Sequence, residues 1–453
     1  MNYRTDSQST QVLQKLVGFL EIGIQDALDI YREDSSWSPF IQGSPNGVRQ
    51  SLGSYSIGVT GARAVISSLL NTEIRFDGSL LTKIDSLVSE AYQTVHEVGV
   101  DLLDLSTLID IAESSEIPAA SLPWLYSKRE SAASTISRKF LRSGVGQTTP
   151  FGTDHWYDAM TGLASMAIRM APTAEASRSS VYLEILAALQ LLLAITQREV
   201  GLVPSVETYG SLLIPENMTL NDPIEIHGTR WNFGLAHGSD GVCMAFCHLV
   251  AILPPEIDRG PFLATAYNYW RWRHATYDLE VNLLQAGREV QHKVSEVHTS
   301  NAKGWCAGFA GVVMCGVAIM EAFPELEVDI RPDLEQLTQV LSSFSNEGDI
   351  SLCHGSVGVA IVQLRLGNAL GTYDSLQSGK ARLEEVIGEL ISTDAPFSKL
   401  SPDTLTFGAA PNISILTGLS GVVAAYQEYL SGSACGLKKC NSVLSPWLRS
   451  APR

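Results

Sequence analysis

Gly308-Phe309-Ala310-Gly311-Val312-Val313-Met314-Cys315-Gly316-Val317-Ala318-Ile319-Met320 is a Gly-x-x-Gly opening followed by a run without a charge. A helix that is apolar all round must be buried on every side. The opening recurs as Gly58-Val59-Thr60-Gly61, Gly238-Ser239-Asp240-Gly241, Gly355-Ser356-Val357-Gly358 and Gly418-Leu419-Ser420-Gly421, and Gly162-Leu163-Ala164-Ser165 is a degenerate sixth copy. An apolar run follows each copy, as at 422–430. Between the copies lie amphipathic stretches. In 11–30, Leu13, Leu16, Val17, Leu20, Ile24 and Leu28 fall at spacings of three and four, the pattern of a surface helix with one buried stripe.

This alternation of amphipathic outer helix and apolar inner helix predicts an all-α fold, an α/α toroid whose glycines let inner helices start in tight, closely packed turns. For Gly58 and Gly418, helix packing is explanation enough. The pairs number seven if 100–112 is an inner helix that has lost its glycines, and six otherwise. Gly- and Pro-rich segments at 35–54 and 201–227 read as loops within one unit, with room for short strands, so residues 1–453 are expected to form a single domain.

Composition excludes several classes. The chain is 45% hydrophobic and 17% charged, which is neither disordered nor coiled-coil-like. Its 48 acidic against 31 basic residues give a formal charge of −17, repelling a phosphate backbone and arguing against nucleic acid as partner. No basic start leads into an apolar core, and the longest charge-free apolar run, 185–196, is too short to span a bilayer, so the expectation is a cytoplasmic protein that is not integral to a membrane. Seven cysteines, an odd count, point to thiols or metal ligands rather than a disulfide framework. Asn217 and Asn412, both in Asn-x-Ser/Thr, then carry no weight as glycosylation sites.

Chemistry gathers next to the glycines. His237 precedes Gly238, Cys306 lies two before Gly308, Cys353-His354 precede Gly355 and Asp158 lies four before Gly162. If the copies are equivalent, these side chains share one rim at the N-terminal ends of inner helices. Two cysteines and a histidine suit Zn²⁺, leaving a fourth position for water or a substrate thiol, and helix N-termini favour thiolate. Read singly, Cys306 is a core residue and His354 a structural histidine. Cys243, Cys247 and His248, at helical spacing in an apolar helix, read as core packing, and Cys435 and Cys440 as exposed thiols. Trp270-Arg271-Trp272-Arg273-His274 reads as an outer helix with snorkelling arginines, and His292 and His298 as solvated surface.

Taken together, Gly234-Leu235-Ala236-His237-Gly238, Gly304-Trp305-Cys306-Ala307-Gly308-Phe309-Ala310-Gly311 and Cys353-His354-Gly355-Ser356-Val357-Gly358, with the softer Tyr157-Asp158-Ala159-Met160-Thr161-Gly162-Leu163, resemble the lanthionine synthetase C-like (LanC) family of lanthipeptide cyclases. The resemblance runs through motifs over about 158–430. It implies a double α-toroid, an (α/α) barrel of about seven inner and seven outer helices, with one zinc held by Cys306, Cys353 and His354. It further implies that the metal takes up a cysteine thiol of a dehydrated precursor peptide (leader plus core), which adds to dehydroalanine or dehydrobutyrine to close a lanthionine or methyllanthionine thioether ring. His237 and Asp158 are then the acid/base candidates, with Trp305 packing on the zinc shell.

This chain departs from the family at Ala307 and Ala310, where many members carry an aromatic residue and a proline. Where the family often has an arginine, four before the first zinc cysteine, it has Ala302 followed by Lys303, the candidate basic pocket residue. The length suggests a stand-alone cyclase served by a separate dehydratase. Other readings are a relative that adds glutathione to dehydroamino acids, a catalytically silent zinc-containing peptide scaffold, and a protein prenyltransferase subunit. The last needs a basic diphosphate pocket that this sequence does not supply.

Overall fold

The computed structural model describes residues 7–33, 42–43, 49–50, 62–63, 65–66, 69, 74–94, 109, 122–143, 159, 162–170, 180–200, 224–226, 229–231, 234–236, 238–274, 303–306, 308–346, 348–400 and 411–430. In chain order the helices are α1 (Ser7–Glu33), α2 (Gly78–Thr94), α3 (Leu122–Ser143), α4 (Leu163–Met170), α5 (Ser180–Val200), α6 (Ser239–Ala251), α7 (260–274), α8 (Phe309–Ala322), α9 (Glu327–Ser343), α10 (Ser356–Leu370), α11 (Tyr373–Ser392) and α12 (Leu419–Leu430). Two antiparallel ribbons accompany them, β1 (Gln42–Gly43) with β2 (Arg49–Gln50) and β3 (Ile224–Ile226) with β4 (Thr229–Trp231). They fall in or beside the segments read as loops with room for strands, and the all-α reading stands. Among the described residues no single helix is long and apolar enough to cross a membrane.

The chain divides into two compact units, Met1–Glu130 with Ser345–Arg449 and Ser131–Phe344 with Ser450–Arg453. In the first, α1 buries the stripe its spacing predicts: Leu16, Val17, Leu20 and Ile24 are fully buried, and Leu13 and Leu28 nearly so. Each such residue contributes about 1.5–3 kcal/mol when removed from water. The stripe faces α11 and α12, while α10 and α11 form the most extensive helix pair. That pair is close because glycines line it. A Cβ on Gly379 would lie 2.7 Å from the Ala360 carbonyl oxygen, and one on Gly367 2.7 Å from the Leu376 nitrogen. Gly371, at φ +68°, takes the left-handed conformation that ends α10.

In the second unit α6 packs between α4 and α8, with α5 against α6 and α9 against α8. The middle helices are apolar all round, as their sequences require. Every residue of α6 from Ser239 to Val250 is buried, and α8 is buried throughout except Glu321. Outer helices show one buried face; in α9 it is Ile330, Leu334, Leu337 and Leu341. Of the stretch 100–112, the described residue Ile109 is helical and buried.

Candidate metal centre

Among the described residues, four Gly-x-x-Gly openings fold into the same turn, and the second glycine shows why. A Cβ on Gly241, Gly311, Gly358 or Gly421 would collide with the backbone carbonyl oxygen of Leu235, Trp305, Leu352 or Ile415, the residue six positions earlier in each case. The chain therefore doubles back over the start of its own inner helix. Gly418 does not pack helices together, as its sequence reading had it: a Cβ there would strike Asn412 and the Ser414 nitrogen within its own turn.

Neighbouring turns are joined through the backbone. In the second unit Ala159 N donates to Ala236 O (3.1 Å) and Ala236 N donates to Cys306 O (2.9 Å). In the first, Cys353 N donates to Leu416 O (2.7 Å). Ala236, Cys306, Cys353 and Leu416 each lie two before the first glycine, so they occupy one register position, and two of the four turns put sulfur there.

The Cys353-His354 turn is braced by its own hydrogen bonds. Asp349 Oδ1 accepts from Ser351 N (2.7 Å), Ser351 O from Gly355 N (3.1 Å), Ser351 Oγ from His354 N (3.3 Å) and Asp349 O from Ser356 N (3.0 Å). The turn presents Cys353 Sγ 3.6 Å from His354 Nε2. Cys306 sits on a turn closed by Gly308 N donating to Gly304 O (2.9 Å), flanked by buried Trp305 and Lys303. Cys353 is buried, and Cys306 and His354 half-buried.

Cys306 of the second unit and Cys353 with His354 of the first offer two thiols and an imidazole, a donor set that could hold a metal ion. Tetrahedral zinc, with Zn–S about 2.3 Å and Zn–N about 2.0 Å, places its ligand atoms about 3.5–3.8 Å apart, so the three residues fit that ion in donor chemistry and the Cys353–His354 pair, at 3.6 Å, fits it in spacing. Asp158 and His237 lie outside the described residues, as do Cys435, Cys440, His292, His298 and Gly58.

The remaining sulfurs are of another kind. Cys243, Cys247 and Cys315 are fully buried, as is nearly all of His248, in line with the core reading. Burial pushes the Cys243 thiol well above its ordinary range and the Cys315 thiol up to about 11, so both stay protonated at neutral pH.

Sequence reasoning missed a buried polar network. Arg273 does not snorkel: it is 2% exposed, with Nε 3.0 and 3.1 Å from the two carboxylate oxygens of Asp240, itself 1% exposed. Tyr269 Oη lies 2.8 Å from both Asp240 Oδ1 and Ser239 Oγ. Burial raises the Asp240 carboxyl, against the pull of Arg273 and Tyr269. The available signal was a lone aspartate in the first turn of an otherwise apolar helix. On the other faces of α7, Arg271 is exposed and Trp270 Nε1 donates to Asp333 Oδ2 (2.7 Å).

Fold and site together define a class: an all-α protein whose inner helices open on glycine turns, two of which present thiols beside an imidazole. The sequence matches the model of the lanthionine synthetase C-like protein family over residues 128–436, and the chain belongs to that family. Among solved structures it is similar to nisin cyclase, with a TM-score of 0.59 and 15% identity over 95% of this chain and 96% of that one. The shared fold is an α/α toroid. No curated protein sequence matches the chain.

Proposed function

We propose that this protein is a zinc-dependent lanthipeptide cyclase, a single toroid domain over residues 1–453 that closes thioether rings in a dehydrated precursor peptide. The observation that carries the reading is the zinc-type donor set of Cys306, Cys353 and His354 in a chain of this family. These three side chains would hold the ion. Bound there, zinc lowers the pKa of a thiol so that a peptide cysteine is available as thiolate at neutral pH.

The reaction forms one S–C bond to the β-carbon of dehydroalanine or dehydrobutyrine. The alkene π electrons move to the α-carbon and its carbonyl as an enolate, the thiol proton is released, and a proton must arrive at the α-carbon. His237 is assigned as the acid that delivers it and Asp158 as the group that orients His237 or the substrate. Trp305 and Lys303, both buried, precede Cys306 in its turn, and Lys303 is the candidate cation for the enolate charge. A separate dehydratase would supply the substrate, and the compartment would be the cytoplasm.

Thioether closure leaves the peptide mass unchanged, so turnover is read by loss of alkylatable thiol. Wild type should carry about one zinc per chain, and folded Cys306→Ala and Cys353→Ala should lose it. His237→Ala should keep zinc and bind peptide yet turn over about 10²–10⁴ times more slowly. A metal-free wild type, purified without chelator, sinks the zinc assignment. A zinc-loaded wild type that adds glutathione but closes no peptide ring, or does neither, moves the function to the glutathione-adding or scaffold reading.

A further inference from the structure

Asp240 is the one charged residue at its position in the glycine turns: the equivalents are Ala164, Ala310, Val357 and Ser420. A buried ion pair is seldom more stabilising than the apolar residues it replaces, so its reason is more often geometric than energetic. Here the geometry is specific. Tyr269 and Arg273 stand one turn apart on one face of α7, and both reach the first turn of α6. The α6 N-cap, Gly238, has no side-chain cap to hold that turn from within. A single phenol proton serves one acceptor, and the carboxylate is the stronger of the two that Tyr269 meets. Ahead of α6 lies the turn at Gly234-Leu235-Ala236, and its Ala236 N–H is bonded to the carbonyl of Cys306.

We infer that Asp240 is a positioning residue of the metal centre: clamped by Arg273 and Tyr269, it fixes the turn at Gly234-Leu235-Ala236 and, through the Ala236–Cys306 hydrogen bond, the turn that presents the Cys306 thiol. The inference rests on the metal reading above. Loss of the clamp lets the Cys306 turn relax, and the site then holds its ion more weakly and in altered geometry.

The test uses the full chain. Zinc affinity is measured by competition with a chromophoric chelator, and the ligand field by the visible absorption of the cobalt(II)-loaded protein. Asp240→Asn should weaken zinc binding about 10–100-fold, as loss of outer partners of metal ligands does, and shift the cobalt bands. Tyr269→Phe, which keeps both charges, should move both readouts in the same direction by less. Asp240→Asn removes the carboxylate that Arg273 meets in the interior; if it does not fold, Tyr269→Phe and the charge-balanced Asp240→Asn/Arg273→Met protein decide. Leu337→Ala, a cavity on the buried face of α9, should destabilise the protein and leave both readouts at wild-type values.

Folded clamp variants with wild-type zinc affinity and cobalt spectrum would overturn the inference, as would a Leu337→Ala protein that perturbs the site equally. Failure of the underlying reading looks different: wild type takes up no zinc, or Cys306→Ala holds it as tightly as wild type, and the inference falls with it.

Discussion

Surroundings decide what a side chain can do here, and the cysteines show it. Cys243 and Cys315 are held as neutral thiols by burial, whereas Cys306 and Cys353 stand on turns beside an imidazole. Carboxylates differ in the same way. Glu184 on α5 accepts from Arg138 Nε (2.8 Å) and Ser134 Oγ (2.7 Å) on α3, and those bonds, Arg138 first, hold its carboxyl below the usual range. Its folded pKa is thus lower than its unfolded one. The stability it contributes is present above the unfolded value, about 4.3, and is lost as pH falls through the lower folded value. Glu184→Gln should therefore have a lower urea midpoint than wild type at pH 7, and the gap should narrow as the carboxylate protonates. A gap that stays constant down to pH 2 would mean that the charge plays no part. None of this was legible from the glutamate's sequence neighbours, because both partners come from another helix.

At the scale of elements, the glycines divide into those the fold requires and those it tolerates. Gly358 begins α10 against the Leu352 carbonyl, with no space for a methyl group, while at Gly388, on the exposed side of α11, a Cβ would meet nothing within 4 Å. Gly358→Ala should cost about 1–3 kcal/mol or more, since rigid backbone must move to admit the methyl. Gly388→Ala should stabilise by about 0.5–1 kcal/mol through helix propensity. Denaturant melts of the two variants check both signs. Sequence reading found the Gly-x-x-Gly openings and the apolar helices behind them, and placed the α1 stripe correctly. It assigned Gly418 to helix packing and Arg273 to the surface because neither a turn closing on itself nor a partner on α6 leaves a periodic trace.

For the whole molecule, an ion bound only by the native state adds stability in proportion to the logarithm of its concentration over its dissociation constant, about 4 kcal/mol at a thousand-fold excess. Chelation should lower the Tm of wild type, zinc should restore it in a concentration-dependent way, and Cys306→Ala should respond to neither. A Cys306→Ala protein that responds to both as wild type does would place the stabilising ion elsewhere. The formal charge of −17 acts at the same scale, opposing association with polyanions whatever the local detail.

By itself the sequence determined that the protein is helical, that its inner helices are apolar all round and open on glycine turns, and that cysteines stand at equivalent positions in two of those turns, one of them followed by a histidine. Those properties are written in period, composition and local spacing, which neighbouring residues read without help from the rest of the chain. Only the tertiary structure decided that Ala236 bonds to Cys306, that Cys353 bonds to Leu416, and that Asp240 finds Arg273. These pairings join segments far apart in sequence, and every inner helix carries much the same apolar pattern. Which one lies beside which is therefore set by the packing of side chains and the closure of turns.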